Sequence, residues 1–302
     1  MVDLEYPRWR WSARTLGVWL GFFVSASVAE PVAISPHWLV NFAAAANGKA
    51  AESVAVPVEG ESLLVAVVAA GADPRNPTVQ LGNRTVAVKV VGHDPVSRLQ
   101  FIQVADGISQ KSSGWLNDAG EISNASLVAM APAGSIKCRT NGWVNQVGGK
   151  ILPLALLRVT FGAAVPPPGT PLMDFSGRVA GIVFQDAGGG NTGYAIPAEA
   201  VRRVQRDICG SGRLVRGWLG LSLRAESTSP QVVRVLPGSP ASAAGILPGD
   251  VILSIGSRQI TDYAEAANAF FYLVPGQSVT VKVQRAADQL EFQLTPTKPV
   301  LN

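Results

Sequence analysis

Residues 235–260 read VLPGSPASAAGILPGDVILSIGSRQI, and this stretch decides the fold of the last third of the chain. The run PGSP at 237–240 predicts a turn into a short helix, because proline suits a first helical turn. Gly245 then suits the left-handed position that ends a helix. Since the run PGD at 248–250 leads into an apolar segment at 251–255, the stretch predicts a short helix followed closely by a strand.

The residues that follow complete a small α/β module. Asp262 and Glu265 have the spacing of a capping box, which predicts the start of a helix. Apolar residues then alternate with polar ones along two runs, at 279–283 and 290–294, as they do in half-buried strands. We place this module at 216–298.

Upstream, residues 40–196 consist of short apolar runs interrupted by glycine, proline and asparagine. Residues 78–91 predict a hairpin within this region. Many short strands with regular turns are typical of an all-β barrel or sandwich. The first clear helix is expected at 197–208, where Pro197 suits the first turn, and a linker at 210–216 follows it.

Residues 1–29 have the order of a secretory signal peptide. Arg8, Arg10 and Arg14 precede an uncharged stretch whose end, SVA, offers small residues for cleavage. This order predicts export to the periplasm. The alternative is an uncleaved signal anchor that holds the protein at the membrane, because tryptophans near the apolar stretch are typical of membrane interfaces.

The composition of the 302 residues is that of a folded protein without a strong charge. Hydrophobic residues make up 47% and charged residues 15%, which excludes a disordered chain, and the net charge is only +4. Arginines are concentrated at 202–216, but no aromatic residues are interleaved among them for stacking on single-stranded nucleic acid. We interpret them as a solvated helix face and linker, and expect no nucleic-acid partner.

We also expect no cofactor and no metal. His37 and His93 are the only histidines, and no ligand spacing typical of a zinc site occurs. Residues 188–193 match the glycine pattern of dinucleotide-binding loops, but the residues after them predict a strand where that motif needs a helix. Export allows Cys138 and Cys209 to pair, and the sequence leaves that pairing open.

The C-terminal module resembles the PDZ domains of the HtrA/Deg proteases. The string RGWLGL at 216–221 and the stretch at 235–260 follow that family's pattern closely. The upstream region resembles the family's protease domain in three segments: TVQLGNRTVAVKVVGHDP at 78–95, GTPLMDFSGRVAGI at 169–182 and GNTGYAIPAEAVRRV at 190–204. The resemblance implies a mostly β chain, with a chymotrypsin/trypsin-like double β-barrel at 36–209 followed by an α/β PDZ domain at 216–298.

The same resemblance removes the catalytic triad. Serine hydrolysis needs a serine, a histidine that takes its proton and a carboxylate that orients the histidine. The stretch PPPGTPL at 166–172 puts Pro168 in the serine position, and DPVSRL at 94–99 puts Arg98 in the aspartate position. The base position falls near Ala66. We therefore predict a pseudoenzyme of the serine endopeptidase family, with no catalytic residue.

Other residues offer weaker catalytic candidates. His93 and Asp94 are neighbours, but neighbours on a strand point to opposite faces, so we interpret His93 as a surface-loop residue. Glu52 and Glu59 have no second feature that would make them a carboxyl pair. The alternative function is an active serine endopeptidase of periplasmic protein quality control, with an unrecognised nucleophile such as Ser176.

The PDZ groove is the remaining candidate site. Such grooves add a peptide as an extra strand and receive its terminal carboxylate on backbone amides. The resemblance assigns these amides to Leu219, Gly220 and Leu221. Glycine suits the middle position because it lets a ligand approach the backbone without a Cβ in the way.

The walls of the predicted groove are apolar. The resemblance implies a pairing edge at Leu221-Ser222-Leu223, facing a helix that carries Ala267 and Phe271, whereas we interpret Phe270 as a core residue. These walls predict a ligand with a hydrophobic C-terminal residue.

Together these features predict a non-catalytic binder of exported polypeptides that recognises C-termini or extended segments. Such a protein would act as a scaffold, a chaperone-like factor or a subunit of an envelope complex. The resemblance also implies a homo-oligomer, for which residues 37–42 offer an interface, or a larger membrane-associated complex.

Overall fold

The computed structural model describes residues 38–58, 62–81, 83–105, 114–116, 122–147, 150–225 and 228–299. The predicted signal segment at 1–29 lies outside these ranges, as do His37 and Glu59. Among the described residues, no helix is both long enough and apolar enough to cross a membrane.

Seven antiparallel strands form the first sheet, in the order β5-β4-β1-β2-β3-β7-β6. They are β1 (Trp38–Phe42), β2 (Ala51–Pro57), β3 (Leu63–Val67), β4 (Thr78–Leu81), β5 (Arg84–Val86), β6 (Val88–His93) and β7 (Leu99–Val104). The two edge strands, β5 and β6, are separated in the chain by Ala87 alone. The sheet must therefore curl until its two edges are neighbours.

Six further strands form a closed barrel, in the order β10-β13-β12-β11-β8-β9. They are β8 (Ser126–Ala131), β9 (Gly134–Val147), β10 (Lys150–Phe161), β11 (Pro171–Met173), β12 (Val179–Asp186) and β13 (Thr192–Pro197). Closure leaves a barrel without free strand edges.

The two β units share apolar contacts, because some strands of the first sheet are buried on both faces. Along β3, Leu64 and Ala66 belong to the core of the first sheet. The alternate residues Val65 and Val67 belong to a larger cluster that includes residues of the closed barrel. Successive side chains on a strand point to opposite faces, so a single strand contributes to both cores.

Helix α1 (Ala198–Ser211) follows β13 directly and begins after Pro197, as the sequence predicts. It ends at Gly212, whose φ of 70° is left-handed. Its buried face includes an ion pair between Arg203 and Asp207, which are 4% and 9% exposed.

The C-terminal module contains two small sheets and two helices. Its elements are β14 (Leu221–Leu223), β15 (Val232–Val235), α2 (Pro240–Ala244), β16 (Val251–Ile255), β17 (Arg258–Gln259), α3 (Tyr263–Phe271), β18 (Val279–Arg285) and β19 (Asp288–Leu294). The predicted caps are present: Gly245 ends α2 with a φ of 89°. The Asp262 carboxylate accepts a hydrogen bond from the Glu265 amide at the start of α3.

The two cysteines are not paired with each other. Cys138 is buried in β9, and Cys209 is exposed near the end of α1. Burial raises the pKa of the Cys138 thiol to about 12, so this thiol is protonated at neutral pH. Within the part of the chain that the structure describes, no cluster of three or more His, Cys, Asp or Glu could hold a metal ion.

Candidate functional site

The segment before β14 has backbone amides that need an acceptor. Leu219 and Gly220 are both buried. Their carbonyl groups accept hydrogen bonds, from the Ala241 amide at 2.9 Å and from the Leu236 amide at 2.8 Å. Their own amides donate no hydrogen bond to any described group. Since nearly all buried amides in folded proteins have a partner, this pair is a candidate position for a ligand acceptor.

Gly220 is required for the shape of this loop. Its φ is 77°, in the left-handed region. A Cβ added there would lie 2.1 Å from the Cβ of Ser239, the residue that caps α2. No side chain fits this gap, so the close packing of the loop against Ser239 and Trp218 excludes every residue but glycine at this position.

Strand β14 has one free edge. Among the described residues it pairs with β15 alone, and Leu221 lies opposite Val235. Because the Leu236 amide donates to the Gly220 carbonyl, this carbonyl faces β15, and the backbone groups of the next residue, Leu221, face away from it. A peptide can therefore extend this two-stranded sheet from the open side.

Helix α3 contributes different side chains to the groove than the sequence predicts. Ala267 and Phe270 are three positions apart on one face, and Phe270 packs, half-buried, with Leu221 and Leu223 against the core of the module. Phe271 is 2% exposed and belongs instead to the core shared by the two β units. The prediction that Phe271 lines the groove is therefore wrong, and Phe270 is the aromatic residue beside it.

The other face of α3 joins the module to the closed barrel. The Asn268 carboxamide oxygen accepts a hydrogen bond from the Ala155 amide of β10 at 2.9 Å. Arg203 of α1 donates to the Leu273 carbonyl at 3.0 Å. Arg258 of β17 forms an ion pair with Glu199 of α1. These contacts fix the orientation of the groove relative to the barrel.

The second candidate region is the cleft between the two β units, where Pro168 lies. The Pro168 carbonyl accepts hydrogen bonds from the Val54 amide at 2.8 Å and from the Ser53 hydroxyl at 3.0 Å. Gly169 has a φ of 81°, and a Cβ there would lie 1.8 Å from the Val54 carbonyl oxygen. The segment is thus held tightly against β2.

Two of the three positions assigned to the triad, those of Pro168 and Arg98, are linked through Ser53 and the end of β3. The Ser53 hydroxyl, already bonded to Pro168, also accepts a hydrogen bond from the Val67 amide at 3.2 Å. The next amide, that of Val68, donates to the Arg98 carbonyl at 2.9 Å. The end of β3 therefore lies between the loop of Pro168 and Arg98.

Ala66 is not the residue of β3 nearest to these two positions. It lies opposite Gln100, and its side chain is buried in the core of the first sheet. Val67 and Val68 make the contacts towards Pro168 and Arg98. The difference arises because β3 is aliphatic on both faces, so the sequence does not reveal its register. Ala66, Val67 and Val68 are all aliphatic, so none of them has a titratable group that could act as a base.

Arg98 spans the cleft. It has a left-handed φ of 57°, a costly conformation for a residue with a side chain. Its Nη2 donates to the Gln185 side-chain oxygen at 2.6 Å, and its guanidinium lies 3.8 Å from the centre of the Phe184 ring. Burial lowers the pKa of Arg98 to about 10, so the group stays charged at neutral pH.

Comparisons with known proteins agree with this geometry. Residues 217–295 match the PDZ domain family. The chain is 26% identical over 231 residues to a probable periplasmic serine endoprotease DegP-like of Chlamydia trachomatis serovar D, covering 70% of this chain and 46% of that protein. It is 25% identical over 241 residues to the periplasmic pH-dependent serine endoprotease DegQ of Escherichia coli K12, covering 72% and 53%.

The architecture matches a solved structure over nearly its full length. The HtrA-type protease AlgW, solved with a tripeptide, superposes with a TM-score of 0.62 at 21% identity, covering 88% of this chain and 94% of that one. The chain is an HtrA/Deg homologue. The predicted fold class is confirmed, with a trypsin-like protease fold followed by a PDZ domain. The chain spans about half the length of the curated HtrA/Deg relatives it matches.

The other catalytic candidates of this HtrA/Deg homologue are hydrogen-bonded within the chain, paired in a strand or exposed on the surface. Asp94 is buried and accepts hydrogen bonds from the amide and hydroxyl of Ser97, at 2.8 and 2.6 Å, as in a local turn. His93 pairs with Gln100 on β7, and burial lowers its pKa. Ser176 is in an exposed turn, where its amide donates to Asp174. Glu52 is exposed on β2.

Proposed function

We propose that this HtrA/Deg homologue binds polypeptide C-termini or extended segments through its PDZ groove and does not hydrolyse them. The observation that carries the proposal is the pair of buried, unpartnered amides at Leu219 and Gly220, next to the free edge of β14. A terminal carboxylate offers the acceptors that these amides lack, and the following backbone pairs with the edge.

The groove chemistry favours an apolar C-terminal residue. Leu221, Leu223 and Phe270 are partly buried and pack against the core of the PDZ domain along the groove. A hydrophobic side chain placed between them removes apolar surface from water, at about 25 cal/mol per Å² buried. A charged terminal side chain gains no counter-ion from these three residues.

The cleft supports the second half of the proposal, the absence of hydrolysis. The candidate positions hold Pro168, Arg98 and the aliphatic end of β3, none of which is a nucleophile paired with a base. The loop also lacks donors for a developing oxyanion. Prolines 166–168 have no amide hydrogen, the Gly169 amide donates to the Val183 carbonyl at 2.7 Å, and the Thr170 amide donates to Pro167 at 3.2 Å.

A binding experiment with the full chain tests the peptide site. Peptides ending in valine or phenylalanine, as free acids and as terminal amides, are titrated by fluorescence anisotropy. We expect the acids to bind and the amides to bind at least about tenfold more weakly, because the amides lose a charge-assisted contact. Equal binding of acid and amide would contradict carboxylate recognition at Leu219 and Gly220.

A pair of variants separates the groove from the rest of the surface. Ala267 is half-buried on the groove face of α3, so Ala267→Trp fills the groove. Ala243 is exposed on α2, so Ala243→Trp adds the same side chain elsewhere. We expect binding to be lost in the first variant and kept in the second; loss in neither would remove the groove as the site.

A second candidate function is serine endopeptidase activity, because the curated relatives are named serine endoproteases. It would need a nucleophile outside the cleft, such as Ser176. Fluorophosphonate labelling of the wild type and of Ser176→Ala tests it. Labelling of the wild type alone would establish this candidate, and labelling of neither would leave the binder as the function.

The proposed setting is the periplasm. The relatives are named as periplasmic proteins, and residues 1–29 predict a secretory signal. There, a binder of exported polypeptides would act as a scaffold, a chaperone-like factor or a subunit of an envelope complex.

A further inference from the structure

A cavity of about 700 Å³ lies between α1 and the segment that follows α3. On the α1 side it is lined by Arg202, Arg206 and Cys209, which are spaced four and three residues apart and so share one face of the helix. Tyr272 and Gln277 form part of the opposite wall. The volume is typical of small-molecule sites, which measure about 300–1,000 Å³.

The lining of this cavity carries more positive than negative charge. It contains one acid, Glu199, which is already in an ion pair with an arginine outside the cavity. Arg203 is also part of the lining and is paired with Asp207. Arg206 is exposed and forms no ion pair within the described part of the chain. An anion in the cavity would therefore meet an available cation at Arg206, with the charge of Arg202 one helical turn away.

We propose that this cavity binds a phosphate monoester. Such a group has a charge of about −1.5 to −2 at neutral pH, which matches the two arginines, Arg202 and Arg206, whereas a carboxylate needs only one. The planar guanidinium groups can bind phosphate oxygens through two parallel hydrogen bonds. The carboxamide of Gln277 offers a further donor from the opposite wall. The source is either a free phosphate ester or the headgroup of a lipid.

Isothermal titration calorimetry with the full chain tests the binding. The ligands are glycerol 3-phosphate, glycerol as its neutral counterpart and a tetraglutamate peptide. We expect the ester to bind and glycerol not to bind, because the phosphate supplies the charge. No binding of the ester would overturn the proposal, and so would tighter binding of tetraglutamate, which would assign the cavity to acidic polypeptides. No residue of the proposed peptide groove lines this cavity, so failure here leaves the peptide site intact.

Vesicles separate the two sources of the phosphate. The chain is sedimented with vesicles of phosphatidylcholine with and without phosphatidic acid, whose headgroup is a phosphate monoester. Sedimentation that requires phosphatidic acid points to a lipid headgroup, and binding of glycerol 3-phosphate without such sedimentation points to a free ester. Either outcome supports the proposal.

Variants at two exposed arginines assign the charge to the cavity. We expect Arg206→Gln to weaken binding of glycerol 3-phosphate at least about tenfold, since a charge-assisted contact is lost. Arg213 lies beyond the end of α1 and does not line the cavity, so Arg213→Gln should leave the affinity within about twofold. Equal effects of the two changes would show attraction to the basic segment as a whole and would overturn the proposal.

Cys209 reports whether the ligand occupies the cavity. Its thiol is exposed and lines the cavity, whereas Cys138 is buried elsewhere. We expect saturating glycerol 3-phosphate to slow the alkylation of Cys209 by iodoacetamide several-fold, because the ligand covers the thiol. The same concentration should give little protection in Arg206→Gln. An unchanged rate of alkylation in the saturated wild type would place the ester outside the cavity and contradict the proposal.

Discussion

Gly220 is the residue on which the proposed carboxylate loop depends. In Gly220→Ala the new Cβ meets Ser239 at 2.1 Å, so the loop must move and the two amides lose their alignment. We expect peptide affinity to fall at least about tenfold and the free energy of unfolding to fall by about 1–3 kcal/mol. Gly238→Ala is the matched control, because Gly238 has a similar φ of 71° but open space around its Cβ. Equal effects of the two changes would contradict the account.

His93 gives a pH-dependent contribution to stability. Burial lowers its pKa below the usual 6.5, and its Nε2 is buried without a described partner. The unfolded chain therefore takes up a proton first as the pH falls, so stability is fully present above about pH 6.5 and declines below it. Chemical unfolding between pH 7.5 and 5 should show this decline, and His93→Gln should remove part of it. An identical slope in wild type and variant would exclude His93 as the cause.

At the residue scale, the sequence predicted the groove amides and the triad positions from motif resemblance, but it missed Ser53. This hydroxyl bonds to both the Pro168 carbonyl and the Val67 amide. A single serine between Glu52 and Val54 carries no signal of such a role, because its partners come from distant segments. Its function as a bridge between β2, β3 and the Pro168 loop appears only in three dimensions.

At the element scale, α1 depends on its buried ion pair. The Asp207 carboxylate accepts a hydrogen bond from the Val215 amide at 2.7 Å in addition to pairing with Arg203. Arg203→Met leaves Asp207 buried without its cation, and we expect a loss of about 3–5 kcal/mol in the free energy of unfolding. Arg206→Met, at an exposed position of the same helix, should change it by less than about 0.5 kcal/mol. Denaturant titration distinguishes these outcomes; similar midpoints would refute the role of the pair.

The elements of the PDZ domain were predictable because their ends carry specific residues. Gly245 ends α2, and Asp262 caps α3, as local chemistry dictates. The orientation of α3 was not predictable in the same way. The helix packs on the PDZ core with Phe270 and on the β units with Phe271, and its polar residue Asn268 also contacts the closed barrel, so the sequence pattern does not mark which side faces the PDZ core.

At the scale of the whole molecule, Phe271 joins the PDZ domain to the β units. Its side chain is 2% exposed in their shared core. We expect the wild type to unfold in a single calorimetric transition, because a shared core couples the parts. Phe271→Ala should lower stability by about 3–5 kcal/mol and split the transition in two. Two separate transitions in the wild type would show that the contact does not couple them.

The central claim is that the chain binds polypeptides without cleaving them, and one anisotropy time course tests both parts. A fluorescein-labelled unfolded polypeptide ending in valine is mixed with the purified chain, with an active Deg protease as a parallel control. We predict a rise in anisotropy that stays constant for hours, whereas the control falls below the value of the free polypeptide as labelled fragments form. A similar fall with this chain would contradict the account, because it would show hydrolysis by a barrel whose predicted triad positions hold proline, arginine and aliphatic residues.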